Sequence, residues 1–217
     1  PKASRLLFTP DLLNFELCGE MANEATIAST SQLIDVQTRG WCAPLLKTLE
    51  IPAGLFSPPA QPGTMLGALR GVPGMDGVPV ALVGAHDTAS AVASVPADPA
   101  TSWGYLATGT WALLGVETPE PVLSDLSYEL SYTHEGAVNG QFRYLKNCTG
   151  MWMIQELRRA WSEGGSAPDF EALMRQAVAA EPFRSFIDPD YPAFQSPGRM
   201  PGKMADFCRL TQQPVPE

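Results

Sequence analysis

The stretch from Val80 to Ser94 constrains the fold of this chain more than any other stretch. It begins with an apolar run, Val80–Val83, which is typical of a buried strand. A Gly84–Ala85 turn then leads into small residues that suit a helix packed closely on a sheet. We therefore predict an α/β fold with Asp87 at the point where a strand ends and a helix begins. Ligands bind outside strand carboxyl ends in such folds, but an acid there can equally be a plain helix cap, so both interpretations stay open.

The composition predicts a folded protein and argues against several classes of partner. Hydrophobic residues make up 45% of the 217 residues and charged residues 17%, which is enough to bury one large core or two smaller ones. The formal net charge is −9 and no segment is rich in Lys or Arg. Binding to nucleic acid or to an anionic membrane surface is therefore disfavoured. No stretch is long and apolar enough to span a membrane.

The four cysteines indicate neither a zinc site nor a disulfide framework. Cys18, Cys42, Cys148 and Cys208 are widely spaced, with no CxxC pair and no neighbouring histidine cluster. We interpret them as reduced thiols of a cytoplasmic protein. The chain starts at Pro1 without a methionine and ends in a proline-rich segment, which we interpret as cuts through a longer protein.

Periodicity and turn residues predict alternating helices and strands with one domain boundary. The predicted helices cover residues 10–18 (capped by Thr9 and ended by Gly19), 22–33, 41–49, 152–161, 170–180 and 204–210. Besides the opening strand, the predicted strands cover residues 64–67, 103–107, 111–116, 128–132 and 142–144. The segment 97–101 is the best candidate for a domain boundary, because the sequence pattern changes beyond it to closely spaced predicted strands.

The polar triplet at the start of the central helix carries the first candidate site. Asp87 at a domain junction suits a general base that accepts a proton from a hydroxyl. His86 and Thr88 offer hydrogen-bond donors and acceptors that suit sugar hydroxyls. As isolated residues, all three are equally compatible with a capping or buried hydrogen-bonded Asp, a satisfied His and a first-turn Thr.

Two further segments carry weaker signals. The turn Thr108–Thr110 contains Gly109, and tight turns of this kind present backbone N–H groups that can cradle a phosphate, although most such triplets are ordinary hairpin turns. Asn147 stands just before the helix predicted at Trp152, and it could cap that helix or reach a ligand. Gln155, in the first turns of the same helix, could contact a nucleotide or face solvent.

The sequence lacks the motifs of two common nucleotide-binding sites and the ligands of a metal-dependent phosphohydrolase. The chain has no GxGxxG dinucleotide fingerprint and no GxxxxGK[ST] phosphate loop. A metal-dependent phosphohydrolase would need several His and Asp ligands, but the only histidines are His86 and His134. We therefore predict no metal site built from the side chains of this chain.

The order of these segments resembles the FGGY carbohydrate kinases. The resemblance is carried by GAHDTASAV at residues 84–92, YLATGTW at 105–111, NGQFRYLKN at 139–147 and GMW at 150–152, followed by Gln155. Segments in the first eighty residues and in the tail also fit, so the resemblance covers essentially the whole chain. Within the family, it is strongest to the branch that phosphorylates L-rhamnulose at its 1-hydroxyl using ATP, in L-rhamnose catabolism.

The resemblance implies a fold and a role for each candidate residue. The fold is the actin/hexokinase-like (ribonuclease H-like) two-domain kinase fold, present as a partial chain. Residues 1–97 would be the C-terminal part of the first domain and residues 98–217 the N-terminal part of the second. The implied catalytic base is Asp87, and the implied sugar-binding residues are His86, Asp87, Thr88 and Asn147. The implied ATP-binding residues are Gly109, Thr110 and Gln155, with Mg²⁺ accompanying the nucleotide.

The departures from the family pattern limit what this chain is expected to do alone. The family's N-terminal Asp-x-Gly phosphate loop and its later Gly-rich adenine segment are both absent. We therefore expect the 217 residues alone to have little or no kinase activity. Two alternatives stay open: a kinase for another ketose such as fuculose or xylulose, and a non-catalytic actin-like binding module. Sugar and ATP are the only partners implied.

Overall fold

A computed structural model describes residues 3–98, 100–165 and 167–216. The α-helices in these ranges are α1 (Thr9–Cys18), α2 (Ala25–Ser29), α3 (Ala43–Thr48), α4 (Asp87–Ala93), α5 (Asp125–Glu129), α6 (Trp152–Glu163), α7 (Phe170–Ala179) and α8 (Met200–Leu210). The strands are β1 (Asn23–Glu24), β2 (Pro59–Ala60), β3 (Met65–Ala68), β4 (Pro79–Ala81), β5 (Tyr105–Thr108), β6 (Trp111–Thr118), β7 (Tyr132–Gly136) and β8 (Phe142–Thr149). None of the helices described is both long and apolar enough to cross a membrane.

The strands form three sheets. β1 pairs with β2 in parallel, and β3 pairs with β4 antiparallel, with an irregularity between Met65 and Gly67. The largest sheet has four strands in the order β5-β6-β8-β7. Its β7 and β8 are antiparallel, in a register that runs from Tyr132 opposite Lys146 to Gly136 opposite Phe142.

The chain divides into two compact units. The first comprises Pro1–Tyr105 and Gly115–Lys146, and the second comprises Leu106–Leu114 and Asn147–Glu217. Because each unit is assembled from two separate segments, the division does not test a single cut in the chain. The domain boundary expected between residues 97 and 98 therefore stays a prediction.

Each unit has its own buried apolar residues. In the first unit, Leu46, Leu82 and Val92 are almost fully buried. In the second, Phe194, Met200 and Phe207 form a core cluster, against which the α6 residues Met153 and Leu157 pack. The spacing of four residues between Met153 and Leu157 places both on one face of α6, which explains why this helix docks.

Several predicted elements are confirmed. Gly19 ends α1 in the left-handed conformation at φ 80°, and its N–H bonds to the Phe15 carbonyl. The two strands around Gly109 form neighbouring strands of the large sheet. The helices predicted at 152–161, 170–180 and 204–210 are all present as α6, α7 and α8. The cap of α1 is Phe8 without a side-chain bond, so Thr9 is the first helical residue rather than the cap.

Three predicted elements differ from the structure. The opening strand is the three-residue β4, half-buried at Val80 and Ala81, and its pairing with β3 is antiparallel. The helix predicted over 22–33 is only α2, because the Glu24 side chain caps a helix that starts at residue 25. Where a strand was predicted at 128–132, α5 forms instead, because Ser124 accepts a capping bond from the Ser127 N–H.

Candidate functional site

Asp87 is the first residue of α4, at the end of the loop that follows β4. The helix begins at Asp87 as predicted, with His86 as its N-cap. The Asp87 carboxylate accepts a bond of 2.6 Å from the Thr88 N–H. The Asp87 side chain is nevertheless 96% exposed, so it can accept a further hydrogen bond from a ligand. The structure thus brings His86, Asp87 and Thr88 together at one helix end.

The loop before Asp87 is held by a buried carboxylate from β1. Glu24 is fully buried, and its Oε2 accepts a 3.1 Å bond from the Ala85 N–H. The same carboxylate accepts bonds from the Thr26 N–H, the Thr26 hydroxyl and the Ile27 N–H. The Thr26 hydroxyl oxygen in turn accepts a 3.0 Å bond from the His86 N–H. Four donors saturate the Glu24 carboxylate, so the loop backbone is fixed in position.

A second buried acid supports Glu24 from α1. Asp11 Oδ1 accepts a 3.0 Å bond from the Glu24 N–H, and Asp11 Oδ2 accepts a bond from the Asn23 amide. Burial raises the pKa of Asp11, although these hydrogen bonds act in the opposite direction. Asn23 Oδ1 also accepts a bond from the Ser57 N–H. The base of the loop is therefore a chain of polar groups that satisfy one another.

A buried ionic group lies beside His86. Arg143 of β8 is fully buried, and its Nη2 lies 2.6 Å from Glu135 Oε2 of β7 and 2.5 Å from His86 Nδ1. Burial and then the charge of Arg143 lower the pKa of His86, while Glu135 and Asp87 oppose them. His86 Nε2 lies 3.6 Å from Asp87 Oδ1. The neutral imidazole is therefore the favoured form next to the exposed carboxylate.

The start of β5 adds a buried phenol to this side of the sheet. Burial raises the pKa of Tyr105 to about 12, despite the opposing charge of Arg143. A Cβ on Gly115 would lie 2.6 Å from the Tyr105 oxygen and 2.8 Å from the Leu145 Cβ. Glycine at position 115 is therefore required by the close packing of Tyr105.

The hairpin that joins β5 and β6 packs on the start of α6. The Met151 N–H donates to the Gly109 carbonyl at 2.9 Å, and the Gly150 N–H donates to the Thr110 carbonyl at 3.1 Å. The approach is so close that a Cβ on Gly150 would lie 2.7 Å from the Trp111 carbonyl carbon. The Gly109 N–H donates to the Trp111 carbonyl, so that amide is used within the hairpin, while Thr110 itself is exposed.

A pocket of about 360 Å³ lies beside this hairpin. It is lined by Thr110, Trp111, Thr149, Trp152 and Gln195. The Thr149 side-chain oxygen is buried and has no hydrogen-bond partner in the described part of the chain. A buried hydroxyl without a partner is costly, and the pocket has the aromatic walls and few polar groups of small-molecule sites.

The two remaining predicted residues also belong to the second unit. Asn147 lies inside β8 and is exposed, so it does not cap α6. Gln155 is exposed on α6, and its backbone N–H donates to the Met151 carbonyl. The structure thus groups Gly109, Thr110, Asn147 and Gln155 in one unit, and His86, Asp87 and Thr88 in the other. Among the described residues, no group of three or more His, Cys, Asp or Glu side chains could hold a metal ion.

Sequence reasoning missed Glu24, Glu135 and Arg143. Arg143 had no local signal, since a charged residue between Phe142 and Tyr144 in a strand pattern is expected on the solvent face. Glu24 had no such signal either, because the amide that it binds at Ala85 lies 61 residues further along the chain.

Both parts of the chain match one protein family. Residues 1–94 match the N-terminal domain of the FGGY family of carbohydrate kinases, and residues 104–217 match its C-terminal domain. A curated rhamnulokinase of Bacteroides thetaiotaomicron is 40% identical over 99% of this chain and 44% of its own length. The rhamnulokinase of Bacillus subtilis is 36% identical, again over 99% of this chain and 44% of its own length. The chain thus spans less than half the length of these relatives.

Solved structures show the same fold. The xylulose kinase of Lactobacillus acidophilus superposes with a TM-score of 0.64 and 17% identity, over 81% of this chain and 36% of its own. The xylulose kinase of Rhodospirillum rubrum gives a TM-score of 0.60 and 21% identity, over 79% and 34%. The α/β architecture is therefore of the actin/hexokinase type, as the sequence resemblance implied. With both family domains matched in order and relatives at 36% and 40% identity, this chain belongs to the FGGY family of carbohydrate kinases.

Proposed function

We propose that the protein is an ATP-dependent sugar kinase that phosphorylates the 1-hydroxyl of L-rhamnulose. The observation that carries the proposal is the exposed Asp87 carboxylate, held beside a neutral His86 on a loop fixed by Glu24. A general base needs a free oxygen within reach of a ligand and a fixed position, and Asp87 has both. The names of the relatives, rhamnulokinases at up to 40% identity, support the choice of substrate.

In the proposed mechanism, the first unit binds the sugar and removes a proton. The side chains of His86 and Thr88 bind hydroxyls around the reacting centre, and Asn147 is a further proposed sugar-binding residue. Asp87 accepts the proton of the sugar 1-hydroxyl. The oxygen of that hydroxyl forms a bond to the γ-phosphorus, while the bond from the γ-phosphorus to the leaving ADP oxygen breaks. Phosphoryl transfer depends mostly on such positioning and on charge stabilisation.

The second unit is proposed to hold the nucleotide. ATP, when bound, supplies the transferred phosphoryl group, and Mg²⁺ arrives with its phosphates, as is usual where protein ligands are few. Thr110 and Gln155 are exposed for hydrogen bonds to the nucleotide. Gly109 would contact it as an exposed residue of the turn, since its N–H already bonds to the Trp111 carbonyl. The pocket with aromatic walls beside this hairpin supports the assignment.

The proposed division of the chain follows the same assignment. Residues 1–97 would be the C-terminal part of the family's first domain, and residues 98–217 the N-terminal part of its second. The two family matches leave residues 95–103 between them, which supports a boundary in that segment.

The test is a panel of ketoses offered to the full-length protein with ATP and Mg²⁺. We expect kcat/KM to be highest for L-rhamnulose, ahead of L-fuculose and D-xylulose, with phosphate on the 1-oxygen of the product. A preference for another ketose would overturn the substrate assignment, and no turnover with any of them would favour a non-catalytic binding module. The 217 residues alone, which span 44% of the relatives' length, are expected to show little turnover.

A further inference from the structure

Arg143 is a fully buried cation to which the proposed phosphoryl transfer gives no task. It lies within β8, and its partners are Glu135 Oε2 at 2.6 Å, the Gly136 carbonyl at 3.3 Å and His86 Nδ1 at 2.5 Å. A buried guanidinium is costly unless it is paired, and an apolar side chain in its place often serves stability as well or better. Stability alone is therefore a poor reason for an arginine at this position.

The contact with His86 determines which ring nitrogen carries the proton. Arginine has five N–H donors and no acceptor, so at 2.5 Å the His86 Nδ1 must accept from Nη2. A proton on Nδ1 would point at the N–H of Arg143 Nη2, and two donors facing each other repel. The neutral ring must then carry its proton on Nε2, the nitrogen that lies 3.6 Å from Asp87 Oδ1.

We propose that Arg143 is a positioning residue that locks His86 as the neutral Nε2–H tautomer, so that a hydrogen-bond donor always stands beside the Asp87 carboxylate. A substrate hydroxyl at this point can donate to Asp87 and accept from His86 Nε2–H at the same time. The hydroxyl is thereby oriented with its proton toward the base. This catalytic meaning rests on the proposed kinase function, whereas the tautomer itself is a property of the folded chain.

The charges around His86 explain why Arg143, and not burial alone, is needed to keep His86 in the neutral Nε2–H tautomer. Glu135 Oε2 lies 3.4 Å from the same Nδ1. Without Arg143, this carboxylate would accept a hydrogen bond from a protonated Nδ1 and so favour that form of the ring. Asp87 on α4 and Glu24 beside α2 also favour the protonated ring, while burial and Arg143 lower its pKa. Removing Arg143 leaves three carboxylates around the imidazole, so His86 is expected to become the Nδ1–H tautomer or the cation.

His134 provides an internal reference of the opposite kind. Its Nε2 accepts a 2.9 Å bond from the Val122 N–H, so its neutral ring must carry the proton on Nδ1. Burial lowers its pKa as well, which keeps it neutral near pH 7. The two histidines are therefore expected to be opposite tautomers in the same protein.

The experiment is a long-range ¹H–¹⁵N spectrum of the full-length protein labelled with ¹⁵N-histidine, near pH 7. The His86 signals are those that disappear in His86→Gln, and the His134 signals those that disappear in His134→Gln. We expect the Nε2–H pattern for His86 and the Nδ1–H pattern for His134. An Nδ1–H or cationic pattern for His86 in the unsubstituted protein would overturn the proposal.

Three variants test the part played by Arg143. In Arg143→Met, His86 should change to the Nδ1–H or cationic pattern while His134 keeps its own. Because that variant leaves Glu135 buried without its partner, Arg143→Met/Glu135→Leu removes both charges together; there His86 should lose its fixed Nε2–H pattern. Retention of that pattern in the double variant would contradict the role of Arg143. Glu135→Gln, which keeps the Arg143 contact, should leave the tautomer unchanged.

Kinetics separate a positioning role from a structural one. For the double variant we expect kcat to fall about 100-fold with a smaller change in KM, since misplaced catalytic contacts can have effects of that size. In Arg143→Met, where Glu135, Asp87 and Glu24 all favour the protonated ring, the pH–rate profile should gain a step at a higher pH than in the unsubstituted protein. Arg143→Lys should recover part of kcat. Unchanged kcat together with the His86 tautomer change would refute the catalytic role. If the protein had no kinase activity, the spectra would still decide the tautomer.

Discussion

Two regions of the molecule hold their backbone in opposite ways. The loop before α4 is held by side chains: Glu24 and Thr26 accept bonds from the backbone N–H groups of Ala85 and His86. The hairpin before α6 is held by backbone groups, with the Gly150 N–H bonded to the Thr110 carbonyl and no room for a Cβ at Gly150. The first region is saturated with hydrogen bonds, whereas the second leaves the Thr149 hydroxyl without a partner in the described residues.

This difference indicates how each region can work. A base must be in position before its substrate arrives, and the buried acceptors around Glu24 supply that rigidity to Asp87. In the second region, the buried Thr149 hydroxyl has no partner among the described residues, so no hydrogen bond is lost when it is removed. Substitutions that remove acceptors should therefore damage the first region most, while the second should tolerate the loss of its unused hydroxyl.

The largest expected effect is on the activity of Asp87→Asn. Loss of the general base should lower kcat by about 10²- to 10⁴-fold, with stability unchanged because the side chain is 96% exposed. Steady-state kinetics and thermal unfolding of the full-length protein measure both quantities. Asp76→Asn, at another exposed aspartate, is the matched control and should leave kcat unaltered. Undiminished activity in Asp87→Asn would remove its role as base.

The next effect is on the stability of Glu24→Gln. The new amide places an N–H₂ group against donors that Glu24 now satisfies, including the Ala85 N–H. We expect the free energy of unfolding to fall by about 2–4 kcal/mol, because buried donors are left without acceptors. Urea titrations measure this change. Glu16→Gln, at an exposed position on α1, should change it by less than about 0.5 kcal/mol. Equal losses in the two variants would contradict the difference drawn between saturated and unused groups.

The sharpest comparison comes from one substitution made in both regions. Thr26→Val removes a hydroxyl that bonds to Glu24 and His86, and should cost about 1–3 kcal/mol. Thr149→Val removes a hydroxyl that has no partner among the described residues, and should be neutral or slightly stabilising in the absence of ligand. Urea titrations measure both changes in the free energy of unfolding. If Thr149→Val lost as much stability as Thr26→Val, the second region would not be unsaturated.

The smallest expected effect is the loss of stability in weak acid. The pKa values of His86 and His134 are both lowered from about 6.5, mainly by burial. The unfolded chain therefore takes up protons that the folded chain resists, so their contribution to stability is present above pH 6.5 and is lost as the pH falls below it. Asp11, whose pKa is raised by burial, acts in the opposite direction, at pH values between the ordinary carboxyl range and its own raised pKa. The free energy of unfolding measured from pH 7 to 5.5 should fall, and His134→Gln should make the fall shallower. A flat profile would contradict both assignments.

Elements that depend on neighbouring residues could be predicted from the sequence, whereas contacts between residues far apart in the chain could not. Gly19 ends α1 and the hairpin at Gly109 joins β5 to β6, since both depend on a few neighbouring residues. The strand predicted at 128–132 was wrong for a local reason, since the Ser124 cap of α5 was present in the sequence but was not used. The helix predicted over 22–33 was wrong for a similar local reason, because the Glu24 side chain caps α2 at residue 25.

The sequence by itself determined the family, the α/β class and the identity of the candidate base, because ordered motifs such as those around Asp87 and Gly109 are local and specific. Only the tertiary structure decided what surrounds that base. Glu24 contacts the loop across 61 residues, and Arg143 contacts His86 across 57. Hydrogen bonds and ion pairs of this kind act within about 3 Å whatever the separation along the chain. For that reason, the rigidity of Asp87 and the charge state of His86 emerge only when the chain is folded.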